Sequence, residues 1–498
     1  MSATTLSARF RIAAATAIAA LSLASCATLA PDTPAGPSAA CSDMLRSVDT
    51  AIATAGVSDA GAARVAGFPA HRVNRFLASF SDRLTTADGF DFWAGELRAL
   101  DREIRGDEIA NLPSDTRREL AGALGIAPDA LGDTAESCAE SIHRTDLADP
   151  ARRTALLHAA VVPDHYNDWE RFAGLYAVSA IPISMGYQRW RAETTEQFSR
   201  GADLQAQTVV DYVPPQSTML QPSDVAAIVR NARSNPLGIP YPEPQDAARL
   251  FATFAPVWRV GTESDDDRIG RPEIGPDGMG RTATDVPTVF TRLSHTWWGG
   301  KPLLQLNYGI WFPARTLTGR FDILGGHMDG LWWRVTLGED GRPLVYDTIH
   351  QCGCYHTFFP ATPLGIADRY PASDIRERPF APTTAPSLGN GERMVVSMAP
   401  VTHYVVDIGT QPIGSPGTAY AFADDDGLRS LPTPGGGRKS LFGPDGIVAG
   451  TERMERFLLW PMGIASPGAM RQWGTHATAF VGRRHFDDPF LLDQALTR

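Results

Sequence analysis

The pattern of hydrophobic positions divides the chain into a helical N-terminal half and a C-terminal half of strands. Between residues 42 and 235, apolar residues recur three and four positions apart in several segments, the spacing of one helix face. These segments are 62–80, 90–109, 114–124, 150–161 and 166–199. A proline-dense stretch at 235–244 then interrupts the pattern and is the predicted domain boundary.

Beyond residue 245 the pattern changes to short runs rich in β-branched and aromatic residues, with Gly, Pro and Asp between them. The runs are 257–261, 303–312, 331–337, 344–350, 393–408 and 456–460. The sequence therefore predicts an α+β protein. A helical domain at 42–235 precedes a β-rich, largely antiparallel domain at 245–498.

The first 25 residues have the pattern of an export signal. Arg9 and Arg11 precede an apolar run over residues 12–23 that is too short to remain as a transmembrane helix. The sequence Leu-Ala-Ser-Cys at 23–26 resembles the lipobox of bacterial lipoproteins, which implies cleavage before Cys26 and acylation of its thiol, for example by palmitate. Residues 26–41 are rich in Pro and small residues and are predicted to be a flexible tether.

The residue after the lipobox cysteine suggests a location. Ala27, rather than an acidic residue, follows Cys26, and its resemblance to the sorting pattern of enteric lipoproteins implies the outer membrane. The expected location is therefore the periplasmic face of the outer membrane, with a lipid as anchor. The alternative is an ordinary cleaved signal peptide with an incidental cysteine.

The net charge and the hydropathy of the chain limit the classes of partner that it can bind. The formal net charge is -11 and there is no block of Lys and Arg, which argues against a nucleic-acid partner because phosphate binding needs a concentrated basic surface. No segment after residue 26 approaches the length of a membrane-spanning apolar run. The expected partner is the membrane, through the lipid, and a protein or glycan of the envelope remains an open alternative.

The chain has five cysteines, and their number fits an oxidising compartment. With Cys26 assigned to the lipid, an even number remains and three pairings are open. Cys41 and Cys138 bracket the first helical stretch, so a disulfide between them is favoured. Cys352 and Cys354 then remain as an isolated pair.

Residues 331–350 are predicted to form a β-hairpin. The register that sets Arg334 opposite Asp347 gives an opposite-charge cross-strand pair and leaves a mostly apolar opposite face. Extended outward, it places Asp329 opposite Cys352 and His327 opposite Cys354. Potential ligands would then converge at one end of the hairpin: His327, Asp329, His350, Cys352 and Cys354.

Imidazoles and thiolates are ligands that suit zinc or copper. A straight strand would hold His350 and His356 about 20 Å apart, so a bend at Gly353 is required to bring them to one ion. The predicted metal ligands are His327, His350, Cys352, Cys354 and His356. The candidate ion is zinc or copper, and a metal-binding or redox centre is the leading functional hypothesis.

Other interpretations of the same residues stay open. Cys352 and Cys354 could form a strained, exchange-competent disulfide or remain inert thiols. His327 and Asp329 match the His-x-Asp part of a non-haem iron site, with His403 as the distal ligand.

Whether the protein is an enzyme is also open. A thiol-dependent peptidase or acyltransferase would pair Cys352 or Cys354 with a histidine base. A non-catalytic binding or structural lipoprotein would instead use exposed aromatic rings, for which the candidates are Trp297, Trp298, Trp311, Trp332 and Trp333. The sequence contains no Gly-x-Ser-x-Gly, no His-Glu-x-x-His and no phosphate-binding loop.

Overall fold

The computed structural model describes residues 37–201, 204, 206–216, 218–369, 371 and 374–497. The predicted signal peptide, Cys26 and most of the predicted tether lie outside these residues. The first helix begins at Pro37, so the last part of the predicted tether, residues 37–41, is helical rather than flexible.

The N-terminal part is mainly helical. Its helices are α1 (Pro37–Ala55), α2 (Arg75–Ala78), α3 (Ala87–Asn111), α4 (Ser114–Ala123), α5 (Leu131–Ala148), α6 (Pro150–Ala159), α7 (Asp168–Ala173), α8 (Tyr176–Arg200), α9 (Pro222–Asn231) and α10 (Pro244–Phe254). Two short helices, α11 (Arg456–Leu459) and α12 (Leu491–Ala495), lie near the C-terminus.

The strands follow, except for three in the N-terminal part. They are β1 (Ala63–Arg64), β2 (Arg72–Val73), β3 (Thr208–Val213), β4 (Val257–Thr262), β5 (Arg271–Ile274), β6 (Gly280–Ala283), β7 (Thr288–Trp298), β8 (Lys301–Arg315), β9 (Gly326–Leu337), β10 (Pro343–His350), β11 (Thr357–Pro360), β12 (Glu392–Met398), β13 (Val405–Pro412), β14 (Thr418–Ala419), β15 (Ala421–Asp424), β16 (Leu431–Pro432) and β17 (Arg438–Lys439). The predicted α+β class, with helices first and mostly antiparallel sheets after them, is confirmed.

Two large sheets form the β-rich part. One has the strand order β11-β10-β9-β8-β7-β15 and the other β13-β12-β4-β3-β14. A shared apolar core lies between them, and it includes Trp258 of β4 and Trp333 of β9. Because β3 comes from residues 208–213, the second sheet draws strands from both sides of the predicted boundary at 235–244.

Two local predictions are wrong. Residues 62–80 do not form one helix but the β1–β2 pair followed by α2, because Gly67, with a φ of +77°, and Pro69 break the segment. Residues 456–460 lie in α11 and a following 3₁₀ turn rather than in a strand.

A disulfide joins Cys41 of α1 to Cys138 of α5, the pairing favoured from the sequence. The two helices pack along a common apolar cluster that includes Leu45 and Ala135. The bond closes a loop with a sequence separation of 97, so it ties the first described helix to the middle of the helical part.

Four of the five tryptophans considered as binding residues are core residues, and the fifth, Trp298, is half-buried. Trp297, Trp311, Trp332 and Trp333 are all buried. The neighbouring Trp332 and Trp333 lie on opposite faces of β9, and each face is covered by a different apolar cluster. The hypothesis that these four rings line an exposed groove is therefore wrong.

The C-terminal segment, residues 460–497, contacts both halves of the molecule. Gln472 donates to Asp59 (2.5 Å) and Asp487 pairs with Arg75 (3.2 Å), both in the N-terminal part. On the sheet side, the Phe486 carbonyl accepts a hydrogen bond of 2.6 Å from Arg334. This segment therefore connects the helical part to the six-stranded sheet.

Candidate functional site

The β9–β10 hairpin has the predicted register from Val345 to His350, and it departs only next to the loop, where Pro343 rather than Leu344 lies opposite Leu337. Asp347 lies opposite Arg334 and His350 lies opposite Leu331. Arg334 Nε donates to Asp347 Oδ1 (2.9 Å) and Arg334 Nη2 donates to Oδ2 (2.5 Å), and both side chains are buried. A bidentate pair of this kind fixes the register because a shift by one residue would leave both charges buried and unpaired.

The predicted extension of the hairpin beyond His350 is wrong. The strand ends there, and a tight turn follows in which the Gly353 amide donates to His350 O (2.7 Å) and the His350 amide donates to Cys354 O (3.0 Å). Gly353 has a φ of +91°, which an L-residue adopts with strain. The chain then returns as β11 against β10, so Cys354 does not lie opposite His327.

The five predicted metal ligands do not converge. His327 Nε2 lies 2.7 Å from the carbonyl oxygen of Gly280, and His356 Nε2 lies 2.9 Å from Asp347. His350 Nδ1 is 3.8 Å from Asp329. Within the part of the chain that the structure describes, no group of three or more His, Cys, Asp or Glu side chains is arranged to hold a metal ion. The geometry expected for the zinc or copper site is therefore not formed.

Cys352 and Cys354 are reduced and buried in an apolar cluster with Trp311, Met328 and Met470. A hydrogen bond from Cys352, reinforced by burial, raises the pKa of the Cys354 thiol well above its usual range. A protonated thiol is a poor nucleophile. This environment argues against a thiolate mechanism at Cys354.

The non-haem iron arrangement is not formed either. His403 Nδ1 lies 2.7 Å from Asp329 and Nε2 lies 3.2 Å from Asp267, so both nitrogens face carboxylates. Burial alone would lower the pKa of His403, but its hydrogen bonds to the two carboxylates outweigh burial and raise it. Because both ring nitrogens are hydrogen-bonded to carboxylates, neither has a lone pair left for a metal.

A cavity of about 370 Å³ lies beside the turn at the end of the hairpin. One wall is α8, and the others come from the 354–356 turn, the loop at residue 377, Tyr404 and the C-terminal segment. The lining residues are Pro182, Ile183, Gly186, Tyr187, Arg189, Trp190, Glu193, Cys354, Tyr355, His356, Glu377, Tyr404, Leu459, Thr478, Phe480 and Arg484. Of the predicted ligands, Cys354 and His356 thus share one cavity.

Aromatic rings form the side of the cavity between α8 and the turn. The Trp190 ring lies 5.3 Å from Tyr355 and 5.6 Å from Tyr187, between centroids, and Tyr355 lies 4.6 Å from Tyr404. The Tyr187 hydroxyl donates to the Arg378 carbonyl (2.7 Å), which fixes α8 against the loop. These rings offer flat apolar surface with polar edges to a bound molecule.

One ring nitrogen of His356 is hydrogen-bonded, and the other has no hydrogen-bond partner among the described residues. Because Asp347 is a carboxylate, it accepts the hydrogen bond and His356 Nε2 carries the proton. Burial lowers the pKa of His356 to about 4, against the opposing effect of Asp347, so the ring is neutral near pH 7. Its Nδ1 is buried and has no hydrogen-bond partner among the described residues. The ring therefore carries an unused basic lone pair.

Asp347 is kept ionised by its neighbours. Burial alone would raise its pKa, but the Arg334 guanidinium and the hydrogen bond from His356 outweigh burial and lower it. Arg334 is itself stacked on the Phe486 ring, 3.7 Å from its centroid. The hydrogen bonds that link Arg334, Asp347 and His356 therefore hold the imidazole in one orientation and one tautomer.

Glu377 lines the same cavity and is also buried. One of its oxygens accepts from the backbone amides of Phe480 (2.8 Å) and Val481 (3.1 Å). Burial raises the pKa of Glu377 to about 7, although the nearby Arg484 guanidinium opposes this. Part of the Glu377 population is therefore protonated at neutral pH.

The pKa values of His356 and Glu377 are in the reverse of their usual order, because the carboxyl group has the higher value. Between about pH 4 and pH 7, His356 is a neutral proton acceptor and Glu377 is a neutral proton donor. A pair of titratable groups shifted in opposite directions within one cavity is typical of general acid–base sites.

Sequence reasoning missed most of this cavity. Trp190 lies in a segment correctly predicted as helical, but nothing in the pattern marked its exposed side as one wall of a site. Glu377 and Arg484 lie in irregular loops without a motif. The three residues are distant in sequence from His356 and meet it only through the tertiary fold.

Comparison with known proteins gives no relatives for this chain. No protein family, curated protein or solved structure matches it significantly.

Proposed function

We propose that the protein is a lipid-anchored enzyme of the cell envelope whose reaction depends on proton transfer in this cavity. His356 acts as the general base and Glu377 as the general acid. The lipobox-like sequence at 23–26 supports acylation of Cys26 and a place on the periplasmic face of the outer membrane.

One observation carries the catalytic part. His356 and Glu377 both line the cavity. The Nδ1 of His356 is buried without a hydrogen-bond partner among the described residues, and burial keeps part of the Glu377 population protonated near neutral pH. Buried polar groups with only a structural role are normally hydrogen-bonded, because an unmade bond costs about 1–3 kcal/mol. Other buried ring nitrogens, such as those of His71 and His476, also lack a partner among the described residues, but His356 lies in the cavity together with Glu377. We propose that a bound substrate or water completes the hydrogen bond of His356 Nδ1.

The proposed chemistry needs neither a metal nor a thiolate. His356 Nδ1 accepts a proton from the substrate or from an attacking water, and Glu377 donates a proton to the leaving group. The raised pKa of Cys354 is compatible with this scheme, in which the thiol contacts the substrate without ionising. Arg484, on the same wall, can neutralise negative charge that develops during the reaction.

The test uses the mature chain with a panel of chromogenic esters, amides and glycosides. The variants are His356→Gln and Glu377→Gln, with His158→Gln on the exposed side of α6 as the matched control. We expect the rate on any accepted substrate to fall by about 10²–10⁴ with His356→Gln, with a smaller loss for Glu377→Gln and none for the control. Equal rates for all four proteins would refute the assignment.

A second measurement needs no substrate. The ¹⁵N chemical shifts of the His356 ring, assigned by comparison with His356→Gln, should show a neutral ring protonated on Nε2 from pH 5 to pH 7. Titration of His356 above pH 6 would remove the basis of the proposal.

A further inference from the structure

Large apolar side chains are exposed together on one side of the molecule. We call this set the apolar surface, and its members are between 42 and 73% exposed: Trp169, Phe172, Leu175, Val178, Ile181, Met185, Phe457, Leu458 and Trp460. Monomeric proteins rarely leave large contiguous apolar patches open to water, and such patches mark sites of interaction.

The apolar surface is one physical unit because its elements are packed on each other. Arg171 Nε donates to Met462 O (2.8 Å), and the Asn167 amide donates to Gly463 O (2.6 Å). Gly174, between α7 and α8, lies so close to Pro461 that a Cβ there would be 2.4 Å from a proline carbon. The ends of α7 and α8 are therefore fixed against the segment that carries Phe457 and Trp460.

The composition of this surface fits the interface of a bilayer. Residues 175–188 contain no charged side chain, while Trp169 and Trp460 supply rings that prefer the headgroup region. None of the described helices has the length and apolar character to cross a bilayer. The residue composition of the apolar surface is therefore that of a surface that lies on a membrane without crossing it.

The sequence outside the described residues indicates which membrane the apolar surface contacts. If Cys26 is acylated, residues 27–36 can separate Pro37 from the bilayer by about 40 Å at most. The anchor thus keeps the apolar surface at a high effective concentration near lipid. A bilayer is therefore favoured over a soluble protein partner.

The apolar surface also reaches the edge of the cavity. Pro182 and Gly186 of α8 are exposed and line the cavity, and they alternate along the helix with Ile181 and Met185 of the apolar surface. Leu459 lines the cavity next to the exposed Leu458. A molecule could therefore pass from a bound bilayer into the cavity along α8 without crossing bulk water.

We infer that the apolar surface docks on the bilayer that carries the anchor, and that the cavity takes an amphiphile from that bilayer as its substrate. Docking rests on the exposed side chains together with the proposed acylation of Cys26. The substrate class rests on the proposed function.

Docking is tested with the mature chain carrying Cys26→Ser and vesicles of phosphatidylethanolamine and phosphatidylglycerol. In co-sedimentation, we expect Trp169→Ser/Phe172→Ser/Phe457→Ser to lower the partition coefficient by about tenfold or more. The matched control, Val209→Ser/Val286→Ser/Ile413→Ser, changes exposed aliphatics elsewhere and should leave the partition coefficient unchanged. Equal binding of the two triple variants, no binding of the parent chain, or a dimer that buries the apolar surface would overturn docking.

A measurement on the acylated, otherwise unaltered protein avoids any effect of substitution on folding. Lipids brominated near the headgroup should quench part of its tryptophan fluorescence, because Trp169 and Trp460 lie at the interface. Absence of quenching would contradict docking.

The substrate class is tested separately with lysophosphatidylethanolamine below its critical micelle concentration. Gly186→Trp adds a large ring where a Cβ meets open space, and it should weaken binding of this probe at least about tenfold while vesicle binding is not weakened. Unchanged probe binding would overturn the substrate class but not docking. A third outcome is that docking and probe binding are normal but His356→Gln does not change turnover. That outcome would overturn only the proposed catalytic role of His356.

Discussion

The Arg334–Asp347 pair gives the sharpest test of how the site is built. Asp347 accepts three hydrogen bonds, two from Arg334 (2.9 and 2.5 Å) and one from His356 (2.9 Å), and the Arg334 and Asp347 side chains are at most 1% exposed. Asp347→Asn keeps the shape of the side chain but removes its charge. It also turns an NH₂ group toward one of the donors. Arg334 then stays buried without its counter-charge.

Breaking a buried ion pair from one side costs about 3–5 kcal/mol, because the remaining charge is uncompensated. We expect Asp347→Asn to lower the free energy of unfolding by this amount in urea titrations at pH 7. The double variant Arg334→Met/Asp347→Leu removes both charges and should recover much of the loss. Glu140→Gln, in the exposed pair with Arg144, is the control and should leave the midpoint unchanged. A loss below about 1 kcal/mol for Asp347→Asn would show that Arg334 does not depend on this carboxylate, contrary to the reasoning.

Two further predictions concern Glu377 and the thiols. The pKa of Glu377 is about 7 in the folded chain and 4.5 ordinarily, so this group's contribution to stability is lost as the pH rises through that window. The free energy of unfolding of Glu377→Gln, relative to the parent, should therefore increase by about 2–3 kcal/mol between pH 5 and pH 8, and a constant difference would contradict the assignment. For the thiols, a chromogenic disulfide reagent should modify Cys352 and Cys354 in urea without added reductant, but only slowly in the native protein, because both are buried. Rapid native modification, or no thiol in urea, would contradict the reduced, buried pair.

The fold class followed from the sequence because periodicity directly reports which face of an element is buried. The hairpin register could also be derived, since one buried charge pair, Arg334 with Asp347, makes every shifted register costly. The segment at 62–80 shows the limit of this approach. Its spacing is helical, but Gly67 and Pro69 interrupt it, and periodicity alone does not register such a break.

The candidate site was only partly predictable. The importance of the turn at Cys354 and His356 could be expected from the density of reactive side chains, and a bend at Gly353 was expected too. The prediction extended the hairpin register to Cys352 and Cys354, however, whereas the strand ends at His350 and the chain returns as β11 against β10. The groups that give the cavity its chemistry, Glu377 and Arg484, come from loops whose position depends on long-range packing. No local pattern encodes where such loops meet.

The contacts of residues 460–497 also make distant parts of the fold depend on one segment. Thr478, Phe480 and Arg484 lie more than 100 residues after His356 in the chain, yet they complete one wall of the cavity that His356 lines. In the same stretch, the Phe486 carbonyl accepts a hydrogen bond from buried Arg334, and Asp487 reaches back to Arg75. Removal of this stretch would take away one wall of the cavity and leave Arg334 without one of its partners, so neither the helical part nor the six-stranded sheet is complete without it.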